Sequence, residues 1–169
     1  RWSPHYLELG INTLIVAVAT ASAVMVLTMF AGWLAARRQI GGAVSDQLVT
    51  VPLVFPGLVL GVALLELALR LPIPIYGTLW LIVLAFLIRY MPYGMRYSFA
   101  GILQIHPELE QAASVAGAGR GTMLRKVVLP LLWPAMASGW LFIFLLCAKE
   151  MSLPLLLAGP NSQTIAVAM

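Results

Sequence analysis

From Leu9 to Ala36 the chain carries no charged side chain, and this run constrains the fold more than any other feature. About 20 apolar residues suffice for a helix to cross the hydrocarbon core of a bilayer, and the run is longer than that. Three more apolar stretches follow. Gln47 to Leu65 is uncharged and extends through Glu66 to Arg70; residues 75–97 are interrupted by Arg89; residues 127–148 form the last. Lipid offers the backbone no hydrogen bonds, so segments of this kind span as helices. The reading is a single all-α polytopic membrane domain over 1–169, with spans at 9–36, 47–70, 75–97 and 127–148. Composition agrees. The chain is 62% hydrophobic and 9% charged, where soluble domains carry about a quarter charged residues. Disordered chains lack this apolar content.

Basic residues set the expected orientation. Arg37 and Arg38 close the first span, and Arg96, Arg120, Arg125 and Lys126 lie around and within the long connection to the fourth. Cytoplasmic loops carry the excess of Lys and Arg. That puts 37–47 and 98–126 in the cytoplasm, and the N-terminus, the 71–75 turn and the 149–169 tail outside. Pro154, Gly159 and Pro160 break the tail, which is read as an extracytoplasmic, partly re-entrant loop. The chain starts at Arg1 without a signal-peptide pattern and stops within an apolar stretch, so it reads as a segment of a longer protein with a fifth helix to follow. The net charge of +4 reflects this asymmetry and calls for membrane lipid, not nucleic acid. Cys147 is the single cysteine, so no internal disulfide forms, and the Cys/His spacing of a metal site is absent.

The segment 105–130, IHPELEQAASVAGAGRGTMLRKVVLP, is too rich in polar and small residues to span. Pro107 suits the first position of a helix, and Glu108 and Glu110 suit its N-terminal turn. Ala112, Ala113 and Ala116 give that helix a face without bulk. Gly117 and Gly119 end or turn it, and a second short helix is expected from about Thr122 into the fourth span. Prolines at 52, 56, 92, 130 and 134 bend or end the spans. Gly57 with Gly61, and Ala135 with Gly139, have the spacing that lets helix backbones approach closely.

At this segment the chain resembles type I ABC importer permeases. Their signature is Glu-Ala-Ala, three residues, Gly, nine residues, then Ile-x-Leu-Pro. Gln111, Ala112, Ala113, Gly117, Val127, Leu129 and Pro130 match it in register, with Gln in place of Glu and Val in place of Ile; Glu110 directly precedes the Gln. The resemblance extends through NTLIVAVATA, AARR and RYMPYGMR, and KEMSLPLLLAG is most similar to the ferric iron group. It implies that Glu110, Gln111, Ala112, Ala113, Ala116, Gly117, Leu129 and Pro130 couple the chain to separate ABC ATP-binding subunits. A second permease half and an extracytoplasmic solute-binding protein would complete the assembly. This chain would bind no cofactor itself, with ATP and magnesium held by the partner.

No phosphate-binding loop is present: it needs Gly-Lys followed by Ser or Thr, but Lys126 follows Arg125 and Lys149 follows Ala148. The chain is therefore expected to be a transport subunit without ATPase activity of its own. Arg89, Pro52 and Pro56 are candidate path or gating residues, since an ionisable group within the membrane points to function by default. A side chain snorkelling to the interface is the plainer reading of Arg89. Glu66 and Arg70 have the spacing of an interfacial ion pair. A secondary transporter or channel would share the broken helices but would not need the 107–130 segment, and permeases for polyamine, phosphonate or sulfate are close alternatives on substrate. An intramembrane enzyme is a third class, though the spans hold too few Ser, His, Asp and Glu to form an evident catalytic pair.

Overall fold

A computed structural model describes residues 4–37, 55–72, 74–159 and 162–168. Pro52 and the first third of the 47–70 span lie outside these residues. The chain forms α1 (Pro4–Ala36), α2 (Gly57–Arg70), α3 (Leu79–Leu103), α4 (Pro107–Val115) and α5 (Arg120–Met123). A π-helical turn, Leu124–Val128, then leads into α6 (Leu129–Lys149), followed by α7 (Ser152–Leu157) and α8 (Ile165–Ala168).

Three helices are long and apolar enough to cross a membrane among the described residues: Leu7–Ala36, Leu79–Leu103 and the continuous Arg120–Lys149. α1, α3 and α6 pack together around Val24, Met25, Phe86, Ile102, Leu132 and Ile143. Small residues set the distance between them. A Cβ on Gly94 would lie 2.5 Å from Val24 and one on Gly101 would lie 2.7 Å from Ala135. One on Gly139 would lie 2.9 Å from Tyr97. α1 and α3 run in the same direction, joined towards their C-terminal ends by the Thr28 and Ser98 hydroxyls at 3.1 Å; Thr28 also donates to the Val24 carbonyl at 2.8 Å, which satisfies its hydroxyl inside the helix. α6 runs antiparallel to both, Trp140 Nε1 donating to Ser22 Oγ at 3.0 Å.

Several boundaries differ from the sequence reading. α3 continues to Leu103, so the connecting loop begins at 104 rather than 98. RYSFAGIL contains no proline and its Gly101 is held inside the helix against α6; the break comes only before Pro107, whose ring disfavours helical backbone in the residue ahead of it. The fourth span is preceded by helix from Arg120 without a break. The 149–169 tail contains α7 and α8, and α7 packs back on α2 with Leu153, Pro154 and Leu157 buried. Gly61 lies at that contact, where a Cβ would come 2.8 Å from Leu156. Gly77, at φ 73°, bridges to Ala158 and so fastens the tail to the turn before α3.

Candidate functional site

Two polar sites stand out in a largely apolar molecule. The first joins the end of α1 to the segment 105–123. α4 starts at Pro107, with Glu108 and Glu110 in its first turn, where carboxylates oppose the partial positive charge of the helix end. Glu110, however, is buried and points inward. Arg37 donates from Nε at 2.8 Å and from Nη2 at 2.6 Å to Glu110 Oε1. Trp33 Nε1 donates to Glu110 Oε2 at 3.2 Å. Arg37 Nη2 also donates to the Ile105 carbonyl at 2.9 Å, tying in the turn between α3 and α4. Arg37 directly follows α1 and continues its last turn, one helical turn from Trp33, so both reach the same carboxylate. A cleft of about 520 Å³ opens beside them, lined in part by Pro107, Gln111, Ser114 and Arg120.

The other signature residues lie elsewhere. Gln111, Ala112, Ala116 and Gly117 are exposed, Ala113 is half-buried, and Val115 is 90% exposed. Together Ala112, Val115 and Ala116 leave an uncovered face of small and apolar side chains on α4. Gly117 adopts φ 83°, a conformation that glycine reaches without cost and side chains resist. No atom outside its own turn lies within 4 Å of where its Cβ would be. Its requirement is therefore conformational rather than one of space within this chain. Leu129 is half-buried and Pro130 exposed at the start of α6, directly after the π turn. Such turns recur at functional sites in helices.

The second site lies where helices end. α2 begins at Gly57 after Pro56, which is exposed; α6 ends at Lys149; α7 begins at Ser152. Arg89, about 15 Å along α3 from its start at 1.5 Å per residue, lies against this junction. A Cβ on Gly57 would lie 2.9 Å from Arg89 Nη1, so the guanidinium packs against the start of α2. Its Nε is 3.8 Å from Glu150 Oε2. Glu150 also accepts from the Tyr90 hydroxyl at 3.0 Å and from the Ser152 N–H at 3.0 Å.

From the sequence Arg37 reads only as an orientation marker, Trp33 and Tyr90 only as aromatics that mark helix ends, and Arg89 has no partner. The i, i+4 pairing of Trp33 with Arg37 at a helix end, and a carboxylate directly after an apolar helix at Glu150, were the signals available. Glu66 and Arg70 form the expected ion pair on the exposed face of α2. No cluster of metal-ligating side chains occurs among the described residues.

A family model for the inner membrane component of binding-protein-dependent transport systems matches residues 24–168, and the chain belongs to this family. It is thus a multi-pass inner-membrane permease of the ABC class, in which the ATPase is a separate subunit. It is 34% identical to a putative ABC transporter permease protein ORF1 of Streptomyces antibioticus, covering 95% of this chain and 70% of the relative. It is 30% identical to the molybdate/tungstate transport system permease protein WtpB of Thermococcus kodakarensis, covering 92% of this chain and 62% of the relative. The Fe(3+)-transport system permease protein FbpB 2 of Haemophilus influenzae is 25% identical, over 68% of this chain and 22% of the relative. Similar proteins also include permeases named for spermidine/putrescine and 2-aminoethylphosphonate.

Proposed function

We propose that this chain forms one half of the solute path of an ATP-driven importer, and that the exposed face of α4 docks on the ATP-binding subunit. The observation that carries the reading is α4 itself. It is a short helix outside the spanning bundle, anchored on its inner side by Glu110. Its outer side presents Ala112, Val115 and Ala116 to solvent. Small side chains allow a partner surface to approach closely, and Gly117 turns the chain so that α5 can lead into α6. Of the signature residues, Gln111, Ala112, Ala116 and Gly117 then belong to the docking surface, Ala113 to its base, and Leu129 and Pro130 to the joint with α6. In this reading 98–126 is cytoplasmic, ATP and magnesium reside on the partner, and a second permease half and a solute-binding protein complete the assembly.

The path passes the junction of α2, α6 and α7. Helices broken at membrane depth surround solute sites in transporters, and irregular backbone there is tolerated where it lines a cavity or is buried in protein. Arg89, with Pro56 at the start of α2, is the path or gating residue of this reading; Pro52, outside the described residues, remains a sequence-based candidate. The solute is a small charged species. Ferric iron is the proposed cargo on the likeness to ferric permeases, with molybdate/tungstate, polyamine and phosphonate as the alternatives that other relatives' names supply.

The test is uptake by vesicles carrying the full-length permease with its partners, each of the four solute classes offered in turn with and without ATP. ATP-dependent accumulation of one class supports the reading. Uptake driven by an ion gradient without ATP would make the protein a secondary transporter.

A further inference from the structure

We infer that Arg37, Trp33 and Glu110 form a rigid joint that transmits the movement of α4 into α1, so that they are positioning residues for coupling and not part of the docking surface. This rests on the functional reading above. The joint gathers three elements at one point: the end of α1 through Trp33 and Arg37, the turn after α3 through the Ile105 carbonyl, and the first turn of α4 through Glu110. Backbone packing between α1 and α4 is slight, whereas α4 packs on α5 and the π turn. The side-chain bridge is therefore the main connection from α4 to α1.

Its strength differs from that of the connections around it. Hydrogen bonds between ionised groups are shorter and stronger than neutral ones, and the side chains of Arg37 and Glu110 are 12% and 10% exposed. Opening the pair inside the protein would leave each charge poorly solvated and unpaired. On its other side α4 leads into Gly117, at φ 83°, and Gly119, neither of which has a neighbour within 4 Å of a would-be Cβ. The next elements are α5 and then the π turn. A load on the outer face of α4 thus meets a stiff tie towards α1 and an open glycine turn towards α6. α1 is packed along its length on α3 and α6, so moving its end moves the bundle.

The test uses the full-length permease assembled with its partners, in a Cys147→Ala background. Nitroxide labels at Ala35→Cys and Ser114→Cys report the α1–α4 distance by pulsed electron resonance. Wild type should give one narrow distance that is the same without nucleotide and after trapping with ATP and vanadate. In Arg37→Ala and Glu110→Gln the distribution should roughly double in width and shift on trapping, while the ATPase still co-purifies. A wild-type shift of more than a helical turn, about 5 Å, overturns the inference, as does an unchanged narrow distance in both variants. Loss of the ATPase from Glu110→Gln also overturns it, because Glu110 would then contact the partner. Should neither variant accumulate, Trp33→Phe removes one hydrogen bond and keeps a ring; broadening supports the joint and an unchanged width refutes it. Absence of an ATPase from the wild-type assembly would refute the functional reading alone, since the widths without nucleotide still decide whether the joint exists.

Discussion

Among the described residues two arginine–glutamate pairs join different elements, and they are built differently. Arg37 grips one oxygen of Glu110 with two N–H groups at 2.8 and 2.6 Å, and Trp33 holds the other. Arg89 comes no closer to Glu150 than 3.8 Å, with its side chain 29% exposed. Glu150 is held by neutral donors instead, the Tyr90 hydroxyl and the Ser152 N–H. The first pair closes on itself and locks elements together. The second leaves its carboxylate fixed and its guanidinium loosely held at a place where α2, α6 and α7 all begin or end. A closed pair suits a part that must transmit movement, and a loose one suits a part that must change partners as a path opens.

Breaking the tight pair should have the largest effect. Arg37→Ala or Glu110→Ala leaves a buried charge without its partner, which costs about 3–5 kcal/mol, read as a lowered unfolding temperature of the purified permease. Glu150→Ala should cost less, about 1–3 kcal/mol, because it strands the Tyr90 hydroxyl and the Ser152 N–H rather than a gripped charge. Arg89→Leu should change stability by less than about 1 kcal/mol, the pair being long and partly exposed, and membrane abundance should stay normal. Its uptake should nevertheless fall; wild-type uptake would remove Arg89 from the path. Glu66→Ala, on the exposed face of α2, should stay within about 0.5 kcal/mol. If Arg37→Ala proves no more costly than Arg89→Leu, the contrast between the pairs fails.

The sequence made three of the four expected spans and the α4 signature legible because both are local patterns: apolar length for the spans, and fixed spacing from Gln111 to Pro130 for the signature. Pro107 and the acidic first turn placed the start of α4 to the residue. What it did not show depends on chain segments far apart. Glu110 and Arg37 are separated by 73 residues, and no local pattern pairs them, so Glu110 was grouped with the coupling residues although its carboxylate faces inward. Arg89 read as an isolated charge because Glu150 lies on another helix. The helical turns of the tail were hidden by Pro154, which sits in the first turn of α7 where proline is tolerated, and by Gly159, which follows its end. The turn at Gly117 was legible: a glycine just past the end of a short helix has a positive φ.

The central claim is that the outer face of α4 docks the ATPase while its inner face does not, and co-purification of the ATPase with tagged full-length permease tests it most directly. Val115→Asp places a charge on the exposed apolar face, where burial against a partner would be costly, and Gly117→Asp forces a side chain into a left-handed turn. Both should reach the membrane at wild-type levels and lose the ATPase, while Glu110→Gln retains it. If Val115→Asp and Gly117→Asp hold the ATPase as wild type does, α4 is not the docking element and the account is wrong at its centre.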